Sequence, residues 1–371
     1  MSATKGVDMR ILFASGHPHI PQLYGGGQAN SHELMKALLA DGHEVAMLCG
    51  LSGKGFLALK DRLLMKIMRH KAIEDNDLGY TVFRAWFAWE ALEEVCEDFK
   101  PDIVFCQAGF PVRIAAECNR LSIPVVIYMH NVEVDDIGGD PRKLHDVHYI
   151  ANSMFTAERL LQQYGLESIV VPPFFNQENY ATRTNCERVL FINPHPHKGA
   201  HLALEIAEQC IDIPFSFVEA WTLDDGWREE LNARLAFLPN VELLPPEKDM
   251  RKVYARARIL MIPSRWEEAW GRVASEAHFS GIPVIASHRG GLPEAVGPGG
   301  ILIDHKAPAS EWAKTIRQLW TDEGYWLSLS LAAQSYAQRD ALDNAQQLKR
   351  ILSVLDGTFL LSAPGGHVAA A

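Results

Sequence analysis

Residues 263–297 read P-S-R-W-E-E-A-W-G-R-V-A-S-E-A-H-F-S-G-I-P-V-I-A-S-H-R-G-G-L-P-E-A-V-G. They follow an apolar run over 258–262 and hold a helix-period stretch over 272–280, stopped by Gly281 ahead of a second β-rich run over 283–287. The order strand, loop, helix, strand is one step of a parallel α/β sheet. Glu268 falls in the loop before the helix and Glu276 about one turn inside it. Ligands of open α/β sheets bind beyond the carboxyl ends of strands. Glu268 is therefore placed to reach a sugar hydroxyl or anomeric region and Glu276 a ribose. The N–H groups of Gly271 and Arg272 face the phosphates between them. Carboxylates suit polyhydroxylated ligands because each accepts several hydrogen bonds. Two glutamates at this interval mean little alone, but between P-S and G-x-P-V-x-A-S-x-x-G-G-x-P-E the pattern is specific.

The same alternation extends in both directions. Strands are expected over 10–14, 43–48, 80–84, 102–106, 124–130 and 168–171, with helices over 28–40, 88–99, 112–121 and 154–164. A second series of strands covers 188–192, 215–219, 241–244, 258–262, 283–287 and 300–303. Two successive six-strand units predict two doubly wound domains facing a cleft. The expected division is a first doubly wound domain over 1–172, a linker over 173–186, a second over 187–340 and a strandless helical segment with a frayed tail over 341–371.

Composition narrows the class. The 371 residues are 48% hydrophobic and 22% charged, which suits about two globular domains. A formal net charge of −11 argues against a nucleic-acid binder, which carries a basic footprint. Six scattered cysteines without a C-x-x-C pair read as reduced core thiols. No run of eighteen apolar residues and no secretory leader is apparent, so the expectation is a cytoplasmic protein with at most peripheral membrane contact.

Other loops carry chemistry. The loop over 15–24 holds His17 and His19 and leads to Gly25-Gly26-Gly27 ahead of a helix, a place for a phosphate or sugar or simply a flexible connection. It lacks the spacing of the dinucleotide fingerprint. His130-Asn131 ends a buried strand at the lip of the cleft, as a hydroxyl-binding or a capped core histidine. Asn193–Gly199, N-P-H-P-H-K-G, puts Lys198 beside a helix start, where a diphosphate would be neutralised. The histidines form no metal set, and Asp75-Asn76-Asp77, though it spells D-x-D, reads as a solvated turn; no metal site is expected.

Taken together these motifs resemble glycosyltransferase family 4, and the resemblance runs from Ile11 to about Leu352. The family's E-x(7)-E element matches Glu268 and Glu276, its K-G element Lys198-Gly199, its first-loop glycines Gly25 and Gly26, and its mid-chain histidine His130. The resemblance implies the GT-B fold, with a last helix crossing back to the first domain. It implies a retaining, metal-independent transfer of a hexose from a nucleoside diphosphate sugar, UDP- or GDP-linked, with no bound cofactor. Glu268, His130 and Lys198 would be catalytic. Gly25, Gly26, Glu276, Gly271, Arg272, Trp270, Asn193 and Arg265 would bind the donor. His17, His19 and Asn131 would face the acceptor, a glycan, lipid-linked or small molecule. Many members carry arginine where this chain has Asn193, which leaves the diphosphate short of charge unless Arg265, Arg289 or a histidine supplies it. A non-catalytic partner subunit, or an epimerase or phosphorylase on the same fold, are the alternatives.

Residues 54–71, K-G-F-L-A-L-K-D-R-L-L-M-K-I-M-R-H-K, hold six Lys/Arg and one Asp. From Lys54 to Lys71 the helix sets Phe56, Leu57, Leu59, Leu63, Leu64, Ile67 and Met68 on one face and Arg62, Lys66 and Arg69 opposite. Such a helix either lies on an anionic membrane or packs on the sheet with a solvated basic face.

Overall fold

A computed structural model describes residues 8–53 and 55–357. The first half runs β1 (Arg10–Pro18), α1 (Gly26–Ala40), β2 (Glu44–Gly50), α2 (Phe56–Met68), β3 (Ala72–Asp75), β4 (Thr81–Ala85), α3 (Ala88–Phe99), β5 (Ile103–Gln107), α4 (Pro111–Leu121), β6 (Val125–Met129), α5 (Val134–Ile137), β7 (Val147–Ala151), α6 (Met154–Tyr164) and β8 (Ile169–Val170). Its strands form one eight-stranded sheet ordered β3-β4-β2-β1-β5-β6-β7-β8. All pairs are parallel except β3 with β4. Runs such as V-V-I-Y-M in β6 are buried throughout, as parallel strands covered on both faces require.

Two of these strands were not expected. β3 is a half-exposed, charged edge strand, A-I-E-D, with no apolar alternation to announce it. β7 is a five-residue run broken by exposed His148. The D-x-D turn is also corrected. Asp75 closes β3 and accepts from Arg84 Nε at 2.6 Å, so it pairs with a buried guanidinium and is no solvated loop.

The second half runs β9 (Arg188–Ile192), α7 (Ala200–Gln209), β10 (Phe215–Val218), α8 (Asp225–Leu235), β11 (Val241–Leu244), α9 (Met250–Tyr254), β12 (Ala257–Ile262), α10 (Arg272–His278), β13 (Val284–His288), α11 (Leu292–Val296), β14 (Gly300–Asp304), α12 (Ala309–Thr321), α13 (Glu323–Ala337) and α14 (Asn344–Leu355). Its sheet, β11-β10-β9-β12-β13-β14, is wholly parallel, and its strands are the six expected. Each sheet has apolar clusters on both faces. α14 leaves the second half: Ile351, Val354 and Leu355 join Ile11 and Phe13 in the first core. Gln347 Nε2 ties it to the carbonyls of Pro172 (3.0 Å) and Pro173 (3.3 Å). The chain thus crosses twice between its halves. The tail expected to fray, and the first seven residues, lie outside the described residues.

Strand order reverses at β1/β5 in the first sheet and at β9/β12 in the second, and a crevice opens at each reversal. The two crevices face one another.

Candidate functional site

Between the carboxyl edges of the sheets lies a cleft of about 540 Å³. Its second-half loops are held by backbone contacts that tolerate no side chain. A Cβ on Gly199 (φ +83°) would lie 1.8 Å from the Pro263 carbonyl oxygen, and one on Gly290 (φ +59°) 2.4 Å from that of Glu268. Gly291 N–H donates to the Glu268 carbonyl at 2.7 Å. The loops after β9, β12 and β13 are therefore locked to each other, which fixes the Glu268 backbone.

Lys198 Nζ donates to both oxygens of Glu268, at 2.6 and 2.8 Å, and Ser264 Oγ adds a third donor at 2.9 Å. The ammonium also lies over the Trp221 ring, 4.9 Å from its centroid. Lys198 and Glu268, seventy residues apart in sequence, thus form a mostly buried ion pair in the cleft wall. Trp270 lines the same wall and donates its indole N–H to Ser275 Oγ. Gly271 holds φ +94° at the start of α10.

Three expectations for this wall are corrected. Arg265 turns outward to the His305 carbonyl and does not line the cleft. Arg289 leans on Glu267 at 4.0 Å. Asn193, by contrast, does line the cleft, buried at φ +66° with its side chain accepting from the Trp221 N–H. Glu276 is 6% exposed and absent from the cleft lining: Tyr254 O–H donates to it at 2.8 Å and Arg272 Nε stands 3.3 Å away. Burial pushes the Glu276 carboxyl above its usual range, and the Arg272 charge opposes that rise.

Arg272 carries the largest surprise. Its guanidinium donates to Glu33 on α1 (3.1 Å), to Tyr180 Oη (3.0 Å) and to the Phe174 carbonyl (2.8 Å), 4.1 Å above the Phe175 ring. The stem of Arg272 passes over Gly26, where a Cβ would meet it at 3.0 Å. The expectation at this position concerned its backbone N–H; the Arg272 side chain itself is a buried tie between the halves. A buried guanidinium with one carboxylate removed costs roughly 3–5 kcal/mol. Arg159 and Glu267 add a second tie, at 2.7 Å, and the Met154 N–H donates to Glu294 at 2.8 Å. Residues 30, 33, 159 and 180 were missed by motif reasoning, because a tie spanning over a hundred residues leaves no local spacing.

On the first-half wall, Gly25 and Gly26 start α1 with no side-chain cap, leaving N–H groups open to the cleft. His130 lines the cleft, its ring tilted by 48° against Tyr128 with 4.2 Å between centroids. Asn30 settles its tautomer. Asn30 Oδ1 accepts from Phe174 N–H, so its Nδ2 donates to His130 Nε2 at 3.4 Å. The proton then sits on Nδ1 as a free donor. Burial, reinforced by the Arg272 charge, brings the ring down to about 3, so it is neutral at physiological pH. His17 and Asn131 line the wall, with Asn131 bonded to Asp136 and Glu133 beside them. His19 does not: it is fully buried, bonded to Tyr80 Oη at 2.8 Å and pushed down to about 3 by burial.

Two family models match this chain. Residues 24–179 match "Glycosyltransferase Family 4" and residues 187–322 match "Glycosyl transferases group 1". The chain belongs to glycosyltransferase family 4. Within that family it is 38% identical over 115 residues to the D-inositol 3-phosphate glycosyltransferase of Corynebacterium kroppenstedtii, covering 30% of this chain and 25% of that one. It is 38% identical over 112 residues to the same-named protein of Salinispora arenicola, covering 29% and 25%. The alignments thus span about a quarter of these curated relatives. Among solved structures, Anabaena HepE in complex with UDP and glucose superposes with TM-score 0.75 at 19% identity, covering 94% of this chain and 99% of that one. WaaG, a glycosyltransferase involved in lipopolysaccharide biosynthesis, gives 0.70 at 14%, covering 94% and 100%. These likenesses establish the GT-B fold of this family 4 chain.

Proposed function

We propose that the chain is a retaining, metal-independent hexosyltransferase that moves a sugar from a UDP- or GDP-sugar to a hydroxyl of a glycan, lipid-linked or small-molecule acceptor. The observation that carries this reading is the Lys198–Glu268 pair in a cleft whose opposite wall offers the α1 N-terminus and the neutral His130. The family membership, and the nucleotide and sugar in the HepE complexes, support it. In this reading residues 1–172 serve the acceptor and 187–340 the donor. The C1–oxygen bond to the diphosphate breaks as the acceptor oxygen bonds to C1, and the acceptor proton passes to the departing phosphate oxygen on the same face. Lys198 neutralises the leaving diphosphate. Glu268 and the His130 Nδ1–H hold the sugar hydroxyls. Glu276 is reached by the ribose only after its Tyr254 bond opens.

The reading includes a cytoplasmic location with peripheral contact at the inner membrane face. No helix among the described residues is long and apolar enough to span a bilayer.

The test is calorimetric titration with UDP, GDP and ADP without added metal, repeated on Lys198→Ala. Binding of one nucleotide that the variant loses supports the reading. No binding of any nucleotide overturns it in favour of a non-catalytic partner.

A further inference from the structure

α2 is mounted in reverse of an ordinary sheet-covering helix. Its docked side presents Ala58, Asp61 and Met65, and Asp61 is 2% exposed with Oδ2 lacking a hydrogen-bond partner. The outward side carries Leu59, Leu63, Ile67 and Met68, exposed by 65, 59, 68 and 55%. Lys54 and the side chains of Phe56 and Leu57 lie outside the described residues. The expected choice between a membrane helix and a sheet-packed helix with a solvated basic face is thereby sharpened, because solvent meets the leucines as well as the cations. Trp86 and Phe87, exposed by 43 and 48% just beyond β4, continue the apolar surface. They stand on the sheet edge that also carries His17 and His130.

Between α2 and the Trp86 loop is a pocket of about 530 Å³. Arg62, Lys66, Lys71 and His70 line it with Trp86, and Glu90 is its carboxylate. The Arg62 guanidinium stacks on Trp86, 4.4 Å from the ring centroid, with one N–H to the Gly53 carbonyl. His70 is engaged by Glu94 at 2.9 Å, which leaves Lys66 and Lys71 to face a ligand.

We propose that this face of α2 docks on an anionic bilayer and that the pocket seats one phospholipid headgroup. Its phosphate lies among Arg62, Lys66 and Lys71, Trp86 sits at headgroup depth, and Leu59, Leu63 and Ile67 enter the acyl boundary. The inference rests on the peripheral contact in the reading above and names its surface and ligand. Charge complementarity selects the occupant. The chain carries −11 overall, so an anionic surface repels it as a whole, and residues 54–71 set six cations against one Asp. A second copy of the chain is disfavoured, since a two-fold contact would set those cations against themselves.

The test is co-sedimentation of the full chain with vesicles of phosphatidylcholine alone and of phosphatidylcholine mixed with phosphatidylglycerol. Binding is expected to the mixed vesicles only, on the order of tenfold weaker or more for Lys66→Ala/Lys71→Ala. Leu63→Ser/Ile67→Ser should lose it. Every substituted residue is on the surface, so melting should match the parent. Binding that ignores the two lysines removes the headgroup site and leaves the peripheral contact standing. No binding by the parent chain removes both. A dimer abolished by Leu63→Ser/Ile67→Ser reassigns the face to a second copy. UDP titration on the same samples reports the cleft separately, so a failed docking surface with intact nucleotide binding leaves the transferase reading untouched.

Discussion

The two walls of the cleft differ in charge and in how they are assembled. The second-half wall comes from three short segments, within 191–198, 220–221 and 260–273, and holds the cations among the cleft-lining residues, Lys198 and Arg272. The first-half wall gathers single residues from the ends of several strands and offers His17, His130, Asn131, Glu133 and Asp136, with no lysine or arginine. The cations are thus confined to one side, and the other offers carboxylate, amide and imidazole groups suited to hydroxyls. Arg272 is the exception that joins them, a second-half residue spent on binding Glu33 of the first half.

Breaking that join should give the largest effect. Arg272→Ala leaves Glu33 and Glu276 buried without their cation and should cost about 3–5 kcal/mol of stability in denaturant unfolding. A loss below about 1 kcal/mol would show that the halves are held elsewhere. Lys198→Ala and Glu268→Gln address the second-half wall alone. Each should lower transfer about 10²–10³-fold while costing less stability than Arg272→Ala, because this pair faces the open cleft. Equal losses of rate and stability would turn the pair into a structural one.

A third experiment sets the halves against each other by pH. His19 in the first and His278 in the second are fully buried and brought down to about 3 by burial, from an ordinary value of 6.5. Below pH 6.5 the unfolded chain takes up these protons first, so stability falls as pH drops toward 3. The loss approaches about 1.4 kcal/mol per pH unit for each histidine. Unfolding at pH 6.5 and 5.5 should show the slope; because His130 is brought down likewise, His19→Asn or His278→Asn should each remove about a third of the share of these three histidines. The smallest effect is expected at Arg159 and Glu267, which are about one-third exposed. A double-mutant cycle should give roughly 0.5–1 kcal/mol, weakening with salt.

How far motif reading reaches is clear from particular residues. Lys198 and Glu268 were legible because each follows a parallel strand at the sheet's reversal point, where short loops leave little freedom. Gly199 and Gly290 belong to the same argument, since a Cβ there would strike a neighbouring carbonyl. β3 was hidden by its charged, half-exposed edge, and His19 misled because a loop histidine next to His17 folds inward onto Tyr80.

The sequence by itself determined the parallel α/β elements of both halves, the loops that carry chemistry and the family they resemble. All of these depend on short-range periodicity and on residues within one strand-loop-helix step. Only the tertiary structure decided which partner each side chain takes. Glu276 turns to Tyr254, Arg272 to Glu33, Arg265 to the His305 carbonyl, and α2 shows its leucines to solvent. Such choices are set by burial and charge contributed from other elements, from 22 to 239 residues away, and no local spacing encodes them.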